Sequence, residues 1–236
     1  CVTCGVQGPG PDCPICQDSR QYVNPNGQQW TSQKELQATH SNVFREEEPG
    51  IWSIHTEPSF AIGQRAYLVQ TAEGNLLWDC ISLLDEETIA TINKLGGIRA
   101  MAVSHPHYYS NMSEWAAAFA VPLWIHQFEA NWVQQPGATF WSGDTMPLFG
   151  GLTLVRSGGH FDGYQVAHWD RGILLAGDQP QVCPDRRWVS FLYSYPNMIP
   201  FNARQIKSIC SSLEPWNFDK LYGAFGRNVL GDAKGV

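Results

Sequence analysis

The sequence has little positive charge and no long apolar run. Lys and Arg number 15 against 22 Asp and Glu, which gives a formal net charge of −7, and no basic run occurs. Nucleic acids and anionic membranes are bound mainly through Lys and Arg contacts to phosphates, so neither is an expected partner. No stretch of about eighteen apolar residues is present, which argues against a membrane-spanning helix. The polar, cysteine-rich first residues do not resemble a signal peptide.

The chain does contain enough apolar side chains for one large domain and a small appendage. Hydrophobic residues make up 43% of its 236 residues, and the 10 Trp, 11 Phe and 8 Tyr predict a large aromatic core. The alternative for these aromatics is a pocket lined for an apolar ligand. Of the seven cysteines, four lie in the first sixteen residues. That distribution fits a reducing compartment better than a disulfide framework, so a cytoplasmic location is expected.

The first sixteen residues carry two C-x-x-C pairs, Cys1 with Cys4 and Cys13 with Cys16. Two such pairs can place four thiolates at the corners of a tetrahedron around zinc. A segment this short cannot bury enough apolar surface to fold alone, so a bound metal would be needed to hold it together. We predict a structural zinc at these cysteines, in a module of residues 1–23 that resembles zinc-ribbon knuckles. Redox iron of the rubredoxin kind and disulfides are the alternatives.

Beyond this module the distribution of polar and apolar residues divides the chain into two further parts. Residues 24–50 are polar and predict a connector, with a short helix capped by Ser32 and Glu35. From residue 51 onward, short apolar strands alternate with helices and glycine-containing turns. Meanders of strands followed by strand–helix units predict a layered α/β (α+β) domain over residues 51–236.

Candidate ligands for a second metal follow three predicted strands. His105 and His107 form a His-x-His pair after a short apolar strand, and His160 lies in a glycine-flanked turn. Asp178 comes directly after another apolar strand. Three imidazoles and one carboxylate at strand ends make a sensible site for one divalent cation.

This order of motifs, strand-His-x-His, then Gly-Gly-His, then Gly-Asp, resembles the metallo-β-lactamase-fold superfamily over roughly residues 51–226. The resemblance implies a four-layer αββα sandwich, with the metal site at one edge of its two sheets, to which the small N-terminal four-Cys knuckle is added. It implies that His105, His107 and His160 bind the first metal. It also implies that Asp178 is the carboxylate that bridges two metals in binuclear members.

The chain departs from the family motif His-x-His-x-Asp-His. Tyr109 stands at the Asp position and Ser110 at the last His position, while Ala224 or Phe225 occupies the place of a final C-terminal His. Three ligands of a second metal are therefore absent, and we expect one metal, with Asp178 as its fourth ligand or as the group that orients a water. The Tyr109 phenol is expected either to donate a proton in catalysis or to fill the volume of the lost metal.

Two further features extend the resemblance. Asp79 ends the strand before the His-x-His pair and is expected to orient a ligand histidine rather than to bind metal. The segments 57–65 and 194–200 resemble a less characterised branch of the superfamily, in which a cysteine-rich N-terminus precedes a metallo-β-lactamase-like domain.

The function expected from the sequence is a mononuclear metallo-hydrolase. It would carry one zinc at the cysteines and one at the His3Asp site, and would attack a small ester, lactone or thioester with metal-activated water. The first alternative is a non-catalytic binding or scaffold protein on a degenerate fold of this kind. The second is an iron redox protein in which the cysteine knuckles donate electrons. Hydrolysis of β-lactams does not follow, because a fold does not fix a substrate.

Overall fold

The secondary structure was assigned on a computed structural model that describes residues 1–236. The α-helices are α1 (Pro14–Gln17), α2 (Gln33–Gln37), α3 (Glu86–Lys94), α4 (Met112–Phe119) and α5 (Ala203–Leu213). Two 3-10 helices span Pro106–Tyr108 and Gln127–Trp132. The strands are β1 (Ser41–Glu48), β2 (Ile51–Glu57), β3 (Ala66–Thr71), β4 (Gly74–Trp78), β5 (Ala100–Ala102), β6 (Leu123–His126), β7 (Ala138–Trp141), β8 (Thr145–Pro147), β9 (Leu152–Arg156), β10 (Gln165–Trp169), β11 (Ile173–Gly177), β12 (Gln181–Val182), β13 (Val189–Ser190), β14 (Leu192–Ser194), β15 (Ile199–Pro200), β16 (Lys220–Gly223) and β17 (Asn228–Val229).

Two mixed sheets form the centre of the molecule. The first has seven strands in the order β1 to β7, antiparallel from β1 to β4 and parallel from β4 to β7. The second has six strands in the order β17-β16-β11-β10-β9-β8, with only the β16–β11 pair parallel. The strands β12 with β13 and β14 with β15 form two small separate hairpins.

Both faces of each sheet are buried, because successive side chains of a strand point alternately to the layer between the sheets and to a layer of helices. Leu76 and Trp78 of β4 face the layer between the sheets, whereas Leu77 faces the layer covered by α3 and α4. In the second sheet Leu175 lies in the inner layer and Leu174 packs with α5. Because strand side chains alternate with a period of two, continuous apolar runs are buried on both faces. The result is the four-layer αββα sandwich implied by the sequence resemblance.

The largest difference from the sequence analysis lies in the expected connector, residues 24–50. Its capped helix is present as α2, where Ser32 and Glu35 form a capping box. Its last third, however, forms β1, which pairs with β2 over seven residue pairs and so belongs to the first sheet. The short strands β12 to β15 and β17 were also not predicted, because two or three residues carry no periodic signal.

No helix is both long and apolar enough to cross a membrane.

Candidate metal centre

The candidate ligands lie where strands of the two sheets end at the same edge. His105 and His107 follow β5, and the second of them lies in the 3-10 helix Pro106–Tyr108. His160 lies in the loop between β9 and β10, and Asp178 follows β11 directly. The sandwich therefore brings together four residues that are up to 73 positions apart in sequence.

The three histidines form a tight, buried cluster. One ring nitrogen from each histidine lies within 4.8 Å of those of the other two, and none of the three residues is more than 2% exposed. Nε2 of His160 is 3.1 Å from Nδ1 of His107. Two nitrogens bound to one zinc at about 2.0–2.1 Å would be separated by roughly 3.3 Å. The separation in this structure fits imidazoles that share one metal ion.

A relay of hydrogen bonds orients His105. Asp79 accepts a hydrogen bond of 2.7 Å from the backbone N–H of Ser104, and the Ser104 hydroxyl lies 2.9 Å from Nδ1 of His105. This contact leaves Nε2 of His105 without a partner. Asp79 thus acts on the histidine through Ser104, not by direct contact with its ring.

The turn before His160 requires glycine. Gly159 has φ +95°, and a Cβ at this position would lie 2.6 Å from Oε1 of Gln179. That same oxygen accepts a hydrogen bond of 2.7 Å from the backbone N–H of His160. Nη1 of Arg20 donates to the His160 carbonyl at 3.0 Å. The backbone of His160 is therefore fixed from two sides.

Asp178 is buried beside the histidines, with Oδ2 3.6 Å from Nε2 of His105. Its two carboxylate oxygens accept hydrogen bonds from two tyrosines, Tyr108 at 3.0 Å and Tyr164 at 3.1 Å. Burial raises the pKa of Asp178 to about 7, although these tyrosine hydrogen bonds act in the opposite direction. No Lys or Arg forms an ion pair with this carboxylate. A buried carboxylate without a cation nearby is costly to ionise, and a bound metal ion would remove that cost.

The histidines have the protonation state that metal binding requires. Burial lowers the pKa of His160 to about 3 and also lowers the pKa of His105 and of His107 far below the ordinary value. They are therefore neutral at pH 7, with lone pairs free for a metal. Three of their ring nitrogens have no hydrogen-bond partner despite burial: Nε2 of His105, Nε2 of His107 and Nδ1 of His160. The donor set fits a divalent metal ion.

Ser110 and Tyr109 stand where the family has ligands of a second metal, and the two side chains differ in their contacts. Ser110 is buried, and its Oγ accepts a hydrogen bond of 2.8 Å from Nε2 of Gln64. The hydroxyl of Tyr109 is buried without a partner and makes no contact with Asp178. It is the neighbouring residue, Tyr108, that reaches the carboxylate. Tyr108, Tyr164 and Arg20 are contacts of the site that the sequence analysis missed.

The four N-terminal cysteines form a second buried cluster. Their Sγ atoms lie within 4.8 Å of one another, with Cys1–Cys16 and Cys4–Cys13 separations of 3.5 Å. All four are free thiols and at most 7% exposed. Hydrogen bonds from Cys16 and Cys4 lower the pKa of the Cys13 thiol. Nε2 of Gln28 donates a hydrogen bond to Sγ of Cys1 at 2.9 Å, and the four sulfurs can hold a metal as a closed four-sulfur site.

A small cavity lies beside the histidine cluster and is lined in part by the N-terminal residues. It has a volume of about 170 Å³, and His107, Tyr108 and Asp178 line it on the side of the histidine cluster. Its other walls come from the N-terminal region, from the loop after β2 and from the C-terminal third: Thr3, Gln21, Tyr22, Ala61, Ile62, Tyr195, Pro196 and Phe225.

Similar solved structures identify the fold of this chain. It superposes on DIM-1 metallo-β-lactamase with a TM-score of 0.65 at 14% identity, over 83% of this chain and 96% of that one. The metallo-β-lactamase from Pontibacter korlensis matches with a TM-score of 0.62 at 16% identity, over 82% and 94%. The protein therefore has the metallo-β-lactamase fold, as its motifs predict.

A curated relative defines the family more narrowly. The uncharacterized protein YmaE of Bacillus subtilis (strain 168) is 47% identical over 247 aligned positions, covering 99% of this chain and 90% of YmaE. The chain belongs to the family of YmaE. No protein-family model matches the sequence.

Proposed function

We propose that the protein is a mononuclear metallo-hydrolase that acts on a small ester, lactone or thioester. One observation carries the proposal. Three neutral, buried imidazoles converge beside a buried carboxylate that has no cationic partner: Nε2 of His160 lies 3.1 Å from Nδ1 of His107, and Nε2 of His105 has no hydrogen-bond partner. Buried polar groups are normally paired, so three neutral imidazoles and a carboxylate gathered without a cation indicate a metal ligand set.

The proposed ligands are His105, His107 and His160, with Asp178 as fourth ligand or as the group that orients a water. Zinc is the expected metal, since imidazole and carboxylate donors in a tetrahedral arrangement suit it. When bound, zinc supplies Lewis-acid activation of a water molecule at neutral pH. Ser110 replaces a histidine ligand of binuclear members and already bonds to Gln64, which favours a single metal.

The other residues of the site have positioning roles in this proposal. The hydroxyls of Tyr108 and Tyr164 hold the two oxygens of Asp178, so the carboxylate keeps one orientation toward the histidines. Asp79 acts through Ser104 to fix the ring of His105. Tyr109 remains a candidate proton donor from the sequence. Its hydroxyl would have to turn toward the cavity to act, because its present surroundings are buried.

We also propose that the N-terminal cysteines, Cys1, Cys4, Cys13 and Cys16, hold a structural zinc in a module of residues 1–23. Residues 51–236 would form the hydrolase domain together with β1, and the part of residues 24–50 that precedes β1 would be the connection between them. The substrate would be a small molecule that enters the cavity at His107 and Asp178.

A binding protein without catalysis is the second candidate, and the size of the cavity favours it. Ligand pockets commonly have volumes of about 300–1,000 Å³, whereas the cavity at the histidines measures about 170 Å³. A substrate larger than a few heavy atoms would need one of its walls to move.

Metal analysis and a substrate screen test the proposal together. Purified wild type is expected to hold about two zinc ions per chain and His107→Ala about one, with His55→Ala as control because His55 lies outside the site. Wild type is expected to turn over at least one of a panel of esters, lactones and thioesters, and His107→Ala none. Full zinc in His107→Ala would refute the site. Bound zinc without turnover of any substrate would favour the binding protein, and iron in the purified protein would favour redox chemistry.

A further inference from the structure

The N-terminal module contacts both loops that carry the clustered histidines. The backbone N–H of Gln7 donates to the carbonyl of Ser110 at 2.8 Å, at the end of the loop that carries His105 and His107. On the other side Nη1 of Arg20 donates to the carbonyl of His160 at 3.0 Å. Two short segments of the module, residues 5–7 and 18–22, thus touch two loops from different sheets.

The contact of the first segment is close and depends on glycine. Gly5 follows Cys4 directly and has φ +81°. The carbonyl of Gly5 accepts a hydrogen bond of 2.9 Å from the Ser82 hydroxyl. A Cβ at Gly5 would lie only 2.5 Å from Oγ of Ser82. The backbone after Cys4 therefore lies against the main domain without room for a side chain.

The contact of the second segment is made by an arginine with a specific geometry. The guanidinium of Arg20 lies 3.7 Å from the ring centroid of Phe161, the residue after His160. Asp18 pairs with the same guanidinium at 2.5 Å, and the Arg20 side chain is 16% exposed. The Ser194 hydroxyl donates to the Arg20 carbonyl at 2.9 Å. An arginine that is mostly buried, stacked and paired holds its position more firmly than a surface side chain.

Only the cysteines join the two segments by polar contacts. No backbone hydrogen bond connects residues 1–7 with residues 13–22. The sulfur pairs Cys1–Cys16 and Cys4–Cys13 bridge them, each at 3.5 Å. A metal at these sulfurs would fix the distance between the contact at Ser110 and the contact at His160.

The same module also closes the cavity at the histidines. Thr3 lies between the first two cysteines, and Gln21 and Tyr22 follow Arg20. These three residues line the same cavity as Tyr108 and Asp178. Displacement of the module would remove that wall and expose the histidine cluster to solvent.

We propose that the cysteine module is a metal-dependent clamp on the histidine site, through which metal at the cysteines tightens metal binding at the histidines and sets the size of the substrate cavity. Arg20 is the positioning residue that transmits the effect to His160. This inference rests on the metal site proposed above. It makes Thr3, Gln21 and Tyr22 the residues that select substrates by size.

The test is the zinc affinity of the histidine site, measured on the full chain by competition with a chromophoric chelator. Cys13→Ser removes a cysteine ligand, and Arg20→Ala removes the contact with His160 while leaving the four cysteines in place. Groups that orient metal ligands typically change affinity by about 10–100-fold, and we expect a loss of that size in both variants. Cys210→Ser and Arg204→Ala alter exposed residues elsewhere and are expected to keep wild-type affinity.

The outcomes separate the clamp from the proposed function. Wild-type affinity in Arg20→Ala and Cys13→Ser would overturn the clamp even if the protein hydrolyses esters. If circular dichroism shows that Cys13→Ser does not fold, Arg20→Ala decides the question alone. Tight zinc binding at the histidines without any turnover would overturn the hydrolase, while the affinity losses would still establish the clamp. A readout of size selection is the ratio of turnover for long and short acyl esters, which Tyr22→Ala is expected to shift toward the longer ester.

Discussion

The two metal-binding clusters of this protein are assembled in opposite ways. Four cysteines within sixteen residues form one of them, and the chain around them has almost no regular structure beyond the single turn α1. Three histidines from two distant loops form the other, at the edge of two sheets that fold through their own apolar layers. We expect the cysteine cluster to hold together the segment around it. The histidine cluster, in contrast, is positioned by the two sheets whose loops carry it.

This difference has an energetic consequence. The module contributes its cysteines together with Val6 and Ile15 to the apolar layer of the first sheet. A metal that holds such a segment together contributes to folding itself, since so short a segment buries little apolar surface of its own. The histidine cluster is held by hydrogen bonds of Gln179, Ser104 and Asp79, none of which needs a metal ion to form. Stability should therefore depend more on the cysteines than on the histidines.

The largest expected effect is a loss of stability in Cys4→Ser. The variant loses the cysteine-bound metal and releases the module from the core, which we expect to lower the free energy of unfolding by about 3–5 kcal/mol. Cys210→Ser changes an exposed cysteine and should stay within about 0.5 kcal/mol of wild type. Denaturant unfolding with tryptophan fluorescence measures both. Equal midpoints for the two variants would contradict a stapling role for the cysteine cluster.

A smaller effect is expected from Tyr108→Phe, on the histidine side. The change deletes the hydroxyl that bonds to Oδ2 of Asp178 and leaves that oxygen buried with one donor fewer. Removing one partner of a buried, charged hydrogen bond costs about 1–3 kcal/mol. We expect metal to remain at the cysteines and hydrolysis to fall, because the carboxylate loses its orientation. Unfolding curves and ester turnover check the two effects, and unchanged values in both would show that the hydrogen bond is dispensable.

The sequence alone predicts the cysteine cluster more completely than the histidine cluster, because one is local in the chain and the other depends on the fold. The spacing of Cys1, Cys4, Cys13 and Cys16 is local, so it can be interpreted without knowledge of the fold. The histidine cluster depends on which loops meet, and only the resemblance to a known fold supplies that. Within the loop, Tyr108 and Tyr109 are neighbours at a 3-10 turn, where successive side chains point about 120° apart. The motif alone cannot say which of them reaches Asp178.

The strand β1 shows another limit of sequence reasoning. The polar residues 24–50 predict a connector, yet Glu46 to Glu48 end a strand of the first sheet. Glu47 pairs with Arg65 at 3.3 Å, and Glu48 pairs with Lys220 and accepts a hydrogen bond from Tyr222 at 2.9 Å. The partners that make a charged strand acceptable lie 18 to 174 positions away in the chain. No local window contains them.

The support of the histidine loop should also give the protein a pH dependence. Glu129 accepts a hydrogen bond from the backbone N–H of Gly163, three residues after His160, and burial raises the pKa of this carboxyl from 4.5 to about 7. The folded state therefore binds the proton more tightly than the unfolded state, so this group favours folding at low pH. That contribution is lost as the pH rises from about 4.5 to about 7.

Glu129→Gln removes this titration while keeping an oxygen that can accept from Gly163. We expect the variant to gain about 1–2 kcal/mol over wild type at pH 8 and little at pH 4.5. Thermal unfolding at both pH values measures the difference. Glu214→Gln, at an exposed position, should give no pH-dependent gain. A constant difference between Glu129→Gln and wild type across this range would show that Glu129 does not titrate there.

The smallest expected effect separates the two neighbouring tyrosines and tests the catalytic role that the motif suggests for Tyr109. The Tyr109 hydroxyl is buried without a hydrogen-bond partner, so removing it relieves an unsatisfied group. We expect Tyr109→Phe to be neutral or to raise the free energy of unfolding by up to about 1 kcal/mol, opposite in sign to Tyr108→Phe. If Tyr109 donates a proton in the proposed reaction, turnover falls in this variant although stability does not. If turnover equals that of wild type, the residue fills the volume of the absent second metal and takes no part in the chemistry.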